Sequence, residues 1–211
     1  MPRVAFTTFA VLNHPYPHLS NEDFNVLEGV VFGASSEAPG FIARAEAVGG
    51  AQTKWTNFGR HYGEWGEFHA PSFYTGGRDD ETDTRASTLS VWRDLESVHA
   101  YAFSGIHLYA LKNRRKWFAH LPHRLYAAWW VADDAVPTWR EACDRLDLLN
   151  ETGPTPEAFD FRTAFDADGN PYRLRIGRTA AEHAASLDAP ESPEAAASLD
   201  APESPEAAAQ A

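Results

Sequence analysis

Residues 86–103 read ASTLSVWRDLESVHAYAF, and this stretch decides the fold class. Its first part, residues 86–92, is rich in β-branched and aromatic side chains and predicts a strand. Asp94 then provides an N-cap for a helix. The helix has one apolar face at a spacing of three to four residues: Leu95, Val98, Tyr101 and Ala102. The pattern weakens at Ser104 and Gly105 before it continues, so we expect two helices in tandem or one kinked helix.

The flanking sequence adds strands and helices on both sides of this unit. Further strands are predicted at residues 4–12, 41–48, 126–132 and 159–165, with a return strand at 172–176. Helical spacing follows the N-cap candidates Asn21 and Asp23, and Thr138 with Glu141 forms a capping box before the last helix. The order β-α-β-β-α-β, followed by α-β, indicates an α+β fold of the ferredoxin-like split βαβ type, an antiparallel sheet with helices on one face. Because such a sheet leaves its other face uncovered, we expect a second copy to pack there as a homodimer.

The C-terminal segment differs in composition from the rest of the chain. Residues 186–197 read SLDAPESPEAAA, and residues 198–209 repeat these letters. A segment of Ala, Pro, Ser and Glu has too few apolar side chains to offset the entropy of ordering. We therefore expect a folded domain over residues 1–178, with an aromatic insertion at 53–85, and a disordered acidic tail over residues 179–211.

The charge balance disfavours some classes of partner. The chain has 18 Lys and Arg against 30 Asp and Glu, a net charge of −12. A negative balance disfavours nonspecific binding to nucleic acids or anionic membranes, which depends on basic patches that release counterions. The single Cys143 allows no intrachain disulfide, and no apolar run reaches the ~18 residues of a membrane span. We expect a soluble, cytoplasmic protein that binds neither nucleic acid nor membrane.

Motifs that would identify several enzyme classes are missing. The sequence has no glycine-rich dinucleotide or phosphate loop, no His-Glu-x-x-His and no Gly-x-Ser-x-Gly. Two histidine pairs occur, His14 with His18 and His120 with His123, but both contain proline and lie in predicted loops. Because such loops imply no fixed metal geometry, we expect no metal site.

His107 differs from the other histidines because it lies in an apolar, aromatic helical pattern. An imidazole there is either a hydrogen-bonded core residue or a general acid or base facing a cavity, and the sequence leaves both open. In the run KNRRK that follows, Arg114 or Arg115 could turn inward and hold an anionic or carbonyl group of a substrate. Trp129 and Trp130 are neighbours on one predicted strand, so they must face opposite ways, and one of them packs under the helices.

Short segments spread along the chain carry a family resemblance. They are PGF at 39–41, LSVW at 89–92, AYAFSGIH at 100–107, RRKWF at 114–118, AWWV at 128–131, GP at 153–154 and AF at 158–159. In this order they resemble the family catalogued as domain of unknown function 3291. The resemblance implies the dimeric α/β-barrel superfamily, whose members include cofactor-free antibiotic-biosynthesis monooxygenases, polyketide cyclases, lactone isomerases and heme enzymes. The family has no established reaction, so these activities are fold analogies.

The insertion at residues 53–85 is longer and more aromatic than the family pattern. It is either a surface insertion with its own small cluster or a lid over the mouth of the barrel. In the lid interpretation, side chains of this segment reach the ligand: His61, Tyr62, Trp65, His69 and Tyr74.

These observations combine into one expected function and two alternatives. We expect an enzyme that acts on a hydrophobic, aromatic or polyketide-like small molecule by oxygenation, cyclisation or isomerisation, without a cofactor. His107 would transfer the proton, and Arg114 or Arg115 would hold an anionic group. The pocket walls would be Trp92, Phe103, Trp117 and one of Trp129 and Trp130. The alternatives are a heme enzyme with His107 as axial ligand and a noncatalytic small-ligand-binding protein.

Overall fold

The computed structural model describes residues 1–49 and 55–175. The first half contains strand β1 (Arg3–Val11), helix α1 (Glu22–Ser36), strand β2 (Phe41–Arg44) and strand β3 (Arg85–Trp92). The second half contains helices α2 (Leu95–Ala102) and α3 (Gly105–Asn113), strand β4 (Tyr126–Val131) and helix α4 (Trp139–Thr152). A short hairpin of β5 (Ala164–Phe165) and β6 (Pro171–Tyr172) follows.

The first four strands form an antiparallel sheet in the order β2-β3-β1-β4. β1 lies in the middle, where Val4 is paired with Trp92 on one side and with Trp130 on the other. Within the described residues, the architecture is therefore α+β with a four-stranded antiparallel sheet and four α-helices. The predicted fold class is confirmed at that level.

The alternation of side chains along the strands divides the core into two layers. One face of the sheet, called here the α4 face, packs against α4 through these residues: Ala5, Phe9, Leu89, Ala127 and Trp129. The opposite face, called the α2 face, carries Val4, Phe6, Trp92 and Ala128 and packs against Leu95 and Val98 of α2. α1 lies on the α2 face too, because Phe24 and Leu27 pack in one cluster with Ala86.

Helices thus cover both faces of the sheet, which corrects the expectation of helices on one face. α4 follows β4 and crosses to the side opposite α1 and α2, where Ala142, Leu146 and Leu149 are buried. The apolar residues of that face would otherwise contact water, and α4 removes them from it. The homodimer was expected because one face would be uncovered. That reason is absent, and the dimer stays a prediction.

The helices begin where the sequence predicts. The Asp94 carboxylate accepts a hydrogen bond from the Ser97 backbone N–H at 2.7 Å, and Thr138 Oγ1 accepts one from the Glu141 N–H at 3.2 Å. Gly105 has φ +47°, a conformation that favours glycine, and it separates α2 from α3 as two tandem helices. In the part of the chain that is described, no helix combines the length and apolar character that crossing a bilayer requires.

The C-terminal strands are shorter than predicted. Of residues 159–165, Phe159 makes a single bridge to β4, and only the last two residues form a strand. The reason is a turn, since Asp160 Oδ1 accepts hydrogen bonds from the backbone N–H groups of Arg162 and Thr163 at 2.9 and 3.0 Å. β2 is also shorter than the predicted 41–48. The predicted tail at 179–211 lies outside the described residues.

The insertion belongs to the main core of the protein. Tyr62 and Phe68 are buried, and their rings contact Trp139 of α4 with centroid distances of 5.5 and 4.9 Å. Phe73 and Tyr74 contact the ring of Phe9 in β1 at 5.7 and 5.5 Å. The segment therefore helps α4 to cover the α4 face, rather than forming a separate surface cluster.

Candidate functional site

His107 lies in the first turn of α3, close to the end of α2. Its Nδ1 is 2.8 Å from the carbonyl oxygen of Ala102. Because a carbonyl only accepts hydrogen bonds, Nδ1 carries the proton in the neutral ring and Nε2 is the basic nitrogen. Nε2 makes no hydrogen bond to any described residue. One nitrogen is fixed to the backbone, and the other is available to a ligand.

A cleft opens beside His107, where the end of α1 meets α2 and α3. Its volume is about 190 Å³. The apolar part of the lining consists of Ala34, Ala38, Pro39, Ala100 and Ile106. The polar part consists of Ser97, Tyr101, Ser104 and His107. A mainly apolar cleft with a few polar groups is typical of small-molecule sites.

The polar groups of this cleft are uncharged at neutral pH. Burial lowers the pKa of His107, although the hydrogen bond to the Ala102 carbonyl opposes this effect. The ring of Tyr101 lies 4.9 Å from the imidazole. Burial raises the pKa of Tyr101 to about 12, and its hydroxyl donates to the Val31 carbonyl at 2.9 Å. The imidazole is therefore a neutral base beside a neutral phenol.

The arginines predicted to hold a substrate anion are not part of this cleft. Arg114 and Arg115 lie in the 3₁₀ turn Arg114–Lys116 that follows α3, and both are exposed. Arg114 donates to the Leu111 carbonyl at 2.7 Å. The predicted inward orientation is thus corrected, because the chain leaves the α-helical path at this point and the basic side chains extend into solvent.

The predicted tryptophan walls are divided between the two faces of the sheet. Trp92 supports the cleft from behind, because its ring stacks on Tyr101 at 5.3 Å. Trp129 is buried on the α4 face. Trp130 is on the α2 face, where its Nε1–H donates to the Phe165 carbonyl at 2.8 Å. Of these three tryptophans, only Trp92 contacts a residue that lines the cleft, namely Tyr101.

Two other predicted wall residues, Phe103 and Trp117, lie elsewhere on the α2 face. Phe103 is 46% exposed, and its ring contacts His99 at 4.5 Å and Phe161 at 6.0 Å. Trp117 is buried, and its ring lies 5.8 Å from that of Phe24. The aromatic residues of this face therefore do not converge on His107.

The predicted contacts from the insertion are on the other side of the sheet from His107. Trp65 and Tyr74 pack against the core of the α4 face. His69 belongs to the same segment, and its Nδ1 lies 2.9 Å from a backbone carbonyl two residues earlier. The structure thus does not unite these three residues with His107 in one site.

Asp83 and Arg85 form a buried ion pair that sequence analysis did not single out. Their side chains are 2% and 3% exposed, and Arg85 Nε lies 3.1 Å from Asp83 Oδ2. Asp83 also accepts hydrogen bonds from the hydroxyls of Thr56 and Tyr74 at 2.8 and 2.9 Å. The sequence signal for this pair was two opposite charges two residues apart at the start of a strand. This spacing places both side chains on the same face of the strand.

This network extends from the insertion to α1. The Arg85 guanidinium lies over the rings of Phe68 and Tyr16 at 5.0 and 5.5 Å from their centroids. The Tyr16 hydroxyl donates to Glu28 Oε1 at 3.2 Å. Burial raises the pKa of Tyr16 and of the Glu28 carboxyl. A second set of ionisable groups therefore lies away from the His107 cleft.

The described residues show no cluster with the composition of a metal site. No group of three or more His, Cys, Asp or Glu side chains is placed there to hold a metal ion. His14 and His18 do stack, with ring centroids 4.1 Å apart, but both are exposed. Two histidines supply fewer ligands than zinc sites use.

Comparison with known proteins identifies the family. No curated protein and no solved structure matches the chain. The family model described as "Domain of unknown function (DUF3291)" matches residues 3–175. The match runs from the first residue of β1 to the end of the described region, and it includes both His107 and the Asp83–Arg85 pair. The chain therefore belongs to this family of unknown function, as the sequence resemblance predicted.

Proposed function

We propose that the protein is a cofactor-free enzyme of small-molecule metabolism in which His107 transfers a proton inside the cleft. The observation that carries this proposal is the different environment of the two imidazole nitrogens. Nδ1 is bound to the Ala102 carbonyl, whereas Nε2 has no partner among the described residues. This arrangement fixes the tautomer and the orientation of the ring, as a general base requires.

The size of the cleft restricts the substrate. Its volume of about 190 Å³ is below the ~300–1,000 Å³ of pockets for drug-sized ligands. It accommodates a small molecule or one ring of a larger hydrophobic metabolite. Ser104 also lines the cleft, and its side chain makes no capping hydrogen bond to α3. Its hydroxyl is available to orient a substrate carbonyl.

Proton transfer next to a carbonyl group is the chemistry that suits this arrangement. A lowered pKa keeps His107 neutral at pH 7, so Nε2 can take a proton from carbon and return it to another atom of the substrate. Isomerisations and cyclisations of carbonyl compounds require such a step. Of the three reaction types expected from the sequence, these two depend on the groups that line the cleft.

The ferredoxin-like interpretation is part of the proposal. The strand order β2-β3-β1-β4 and the element order β-α-β-β-α-β support it. The face on which a second copy was expected is covered by α4 and the insertion, since Trp139 and Phe68 pack there. A homodimer would need another surface, and light scattering on the purified protein distinguishes a monomer from a dimer.

The heme alternative does not fit the residues around His107. A porphyrin is at least as large as a drug-sized ligand and needs an apolar slot beside the axial nitrogen. The cleft at Nε2 is smaller than that, and Tyr101 with the Trp92 ring behind it closes one side. We assign no step to heme. The visible spectrum of the purified protein provides the direct check, because bound heme gives a Soret band.

The experiment that tests the proposal follows proton exchange at carbon. The protein is incubated in D₂O with a panel of small cyclic ketones and lactones, and the loss of the α-proton signal is measured by NMR. We expect exchange in the wild type and a loss of about 10²- to 10⁴-fold in His107→Gln, which cannot shuttle protons near neutral pH. His120→Gln is the matched control, because His120 is exposed and does not line the cleft.

Two results would contradict the proposed enzyme. Equal exchange rates in the wild type and His107→Gln would show that His107 transfers no proton. Binding of panel compounds to the wild type without any exchange would favour the noncatalytic ligand-binding alternative.

A further inference from the structure

Glu28 is a carboxylate on the inner side of α1. It follows Phe24 by one helical turn, and Phe24 packs in the cluster that contains Ala86 and Trp117. The Tyr16 hydroxyl donates to Glu28 Oε1 at 3.2 Å. No other hydrogen bond and no ion pair joins Glu28 to a described residue. The second carboxylate oxygen is therefore available to a ligand.

The negative charge of Glu28 is not balanced by its neighbours. The cation that acts on it is Arg85, which lies over the Tyr16 ring and is already paired with Asp83 at 3.1 Å. The charges of Asp83 and Arg85 cancel, so the group formed with the ionised Glu28 has a net charge of −1. A carboxylate that is partly removed from water without a cationic partner is costly. A bound cation would offset this cost.

Aromatic rings lie next to this carboxylate. Tyr16 contacts Trp55 and Phe24 with centroid distances of 5.9 Å each, and Phe24 contacts Trp117 at 5.8 Å. Trp55 is 43% exposed, which places it at the solvent edge of the group. Aromatic faces attract cations. Carboxylate and aromatic rings together are the groups that recognise organic ammonium ions.

The sheet close to this aromatic group is not completely covered. Thr8 and Ala10 of β1 and Thr88 of β3 are half-buried, although β1 and β3 are the two central strands. All three belong to the α2 face, and Ala10 is paired with Ala86, which lies in the cluster beneath Phe24. The hydroxyls of Thr8 and Thr88 are 2.7 Å apart. The helices therefore cover the α2 face only partly beside this cluster.

We propose that this region binds an organic cation, an ammonium group that carries an apolar or aromatic substituent. The ammonium nitrogen contacts the Glu28 carboxylate, and the substituent lies against the rings of Phe24 and Trp55. This site is separate from the His107 cleft and does not depend on proton transfer there.

The test compares three ligands of similar shape and different charge: 2-phenylethylammonium, 2-phenylethanol and 3-phenylpropanoate. Their affinities for the full chain are measured at pH 7.5 by calorimetry and by NMR titration. We expect the ammonium ion to bind at least about tenfold more tightly than the alcohol, and the carboxylate ion more weakly than either. Glu28→Gln should reduce the affinity for the ammonium ion about tenfold and leave that for the alcohol unchanged.

Glu37→Gln is the matched control, because it removes the same charge from an exposed position at the end of the same helix. We expect it to leave all three affinities unchanged. The proposal is overturned if the alcohol binds as tightly as the ammonium ion, if no probe binds, or if Glu37→Gln has the effect of Glu28→Gln.

NMR of the wild type gives a measurement that does not depend on the folding of a variant. The largest ligand-induced shifts should occur at Glu28, Phe24 and the indole N–H of Trp55. If the largest shifts occur at His107 instead, the cation site is wrong, and the proton-transfer proposal is not affected.

Discussion

The buried ion pair on the α4 face and the histidine in the cleft differ in how completely their polar atoms are bonded. Asp83 accepts hydrogen bonds from the hydroxyls of Thr56 and Tyr74 and from both the backbone and the side chain of Arg85. His107 has one nitrogen bonded and the other without a partner among the described residues. The more deeply buried group is thus the less available to a ligand. Burial identifies groups that hold the fold together, and an unsatisfied atom at a cleft identifies groups that can react.

The largest effect should come from breaking the ion pair. Asp83→Ala leaves the Arg85 guanidinium buried without its partner, so we expect a loss of about 3–5 kcal/mol in the free energy of unfolding. Urea denaturation measures this loss. Asp134→Ala, at an exposed position, should change stability by less than about 0.5 kcal/mol. A loss below about 1 kcal/mol for Asp83→Ala would mean that the ion pair contributes little to the stability of the fold.

A smaller effect on the same face should come from the first turn of α4. Thr138→Ala removes the side-chain oxygen that accepts the Glu141 N–H, and we expect a loss of about 1 kcal/mol in the free energy of unfolding. Thr138→Ser keeps the oxygen and should restore most of that stability. Thermal and urea unfolding of the two variants check this expectation. Equal losses in both would show that packing of the threonine methyl group, and not the cap, is what matters.

The smallest effect concerns the pH dependence contributed by His107. Its pKa is lowered by burial in the folded state, so the neutral form is favoured there relative to the unfolded chain. The resulting stability is present above the unfolded-state pKa of ~6.5 and is lost as the pH falls through the lower folded-state pKa. The free energy of unfolding of the wild type should therefore fall more steeply below pH 6.5 than that of His107→Gln. Parallel pH curves for the two proteins would contradict this.

Much of the local structure was predictable from the sequence because local interactions determine it. Asp94 and Thr138 cap helices through side chains three residues from their partners, and Gly105 separates two helices by its own backbone conformation. The face on which α4 packs was not predictable, since it depends on which apolar surface the sheet presents far along the chain. The position of the insertion in the core depends on the same long-range contacts.

The candidate site was predictable only in part. His107 was singled out because a polar ring in an apolar helical pattern is unusual in the sequence. The orientation of Arg114 and Arg115 was not, because the change from α-helix to 3₁₀ turn has no clear sequence signal. Glu28 was missed because a single acid among Phe24, Leu27 and Val31 looks like an ordinary charged position on a helix until its neighbours are known.

The central position of β1 has a consequence for the order in which the protein folds. Its hydrogen-bonding partners lie far along the chain: Thr8 is paired with Thr88, 80 residues later, and with Tyr126 of β4. During synthesis, β1 leaves the ribosome before β3 and β4, so it is without either neighbour until they have emerged. Pairing strands so far apart in the chain costs loop-closure entropy before the stabilising contacts between them form. This cost slows folding. The nine residues of β1 are thus the segment that most needs protection from wrong pairing while synthesis of the chain is incomplete.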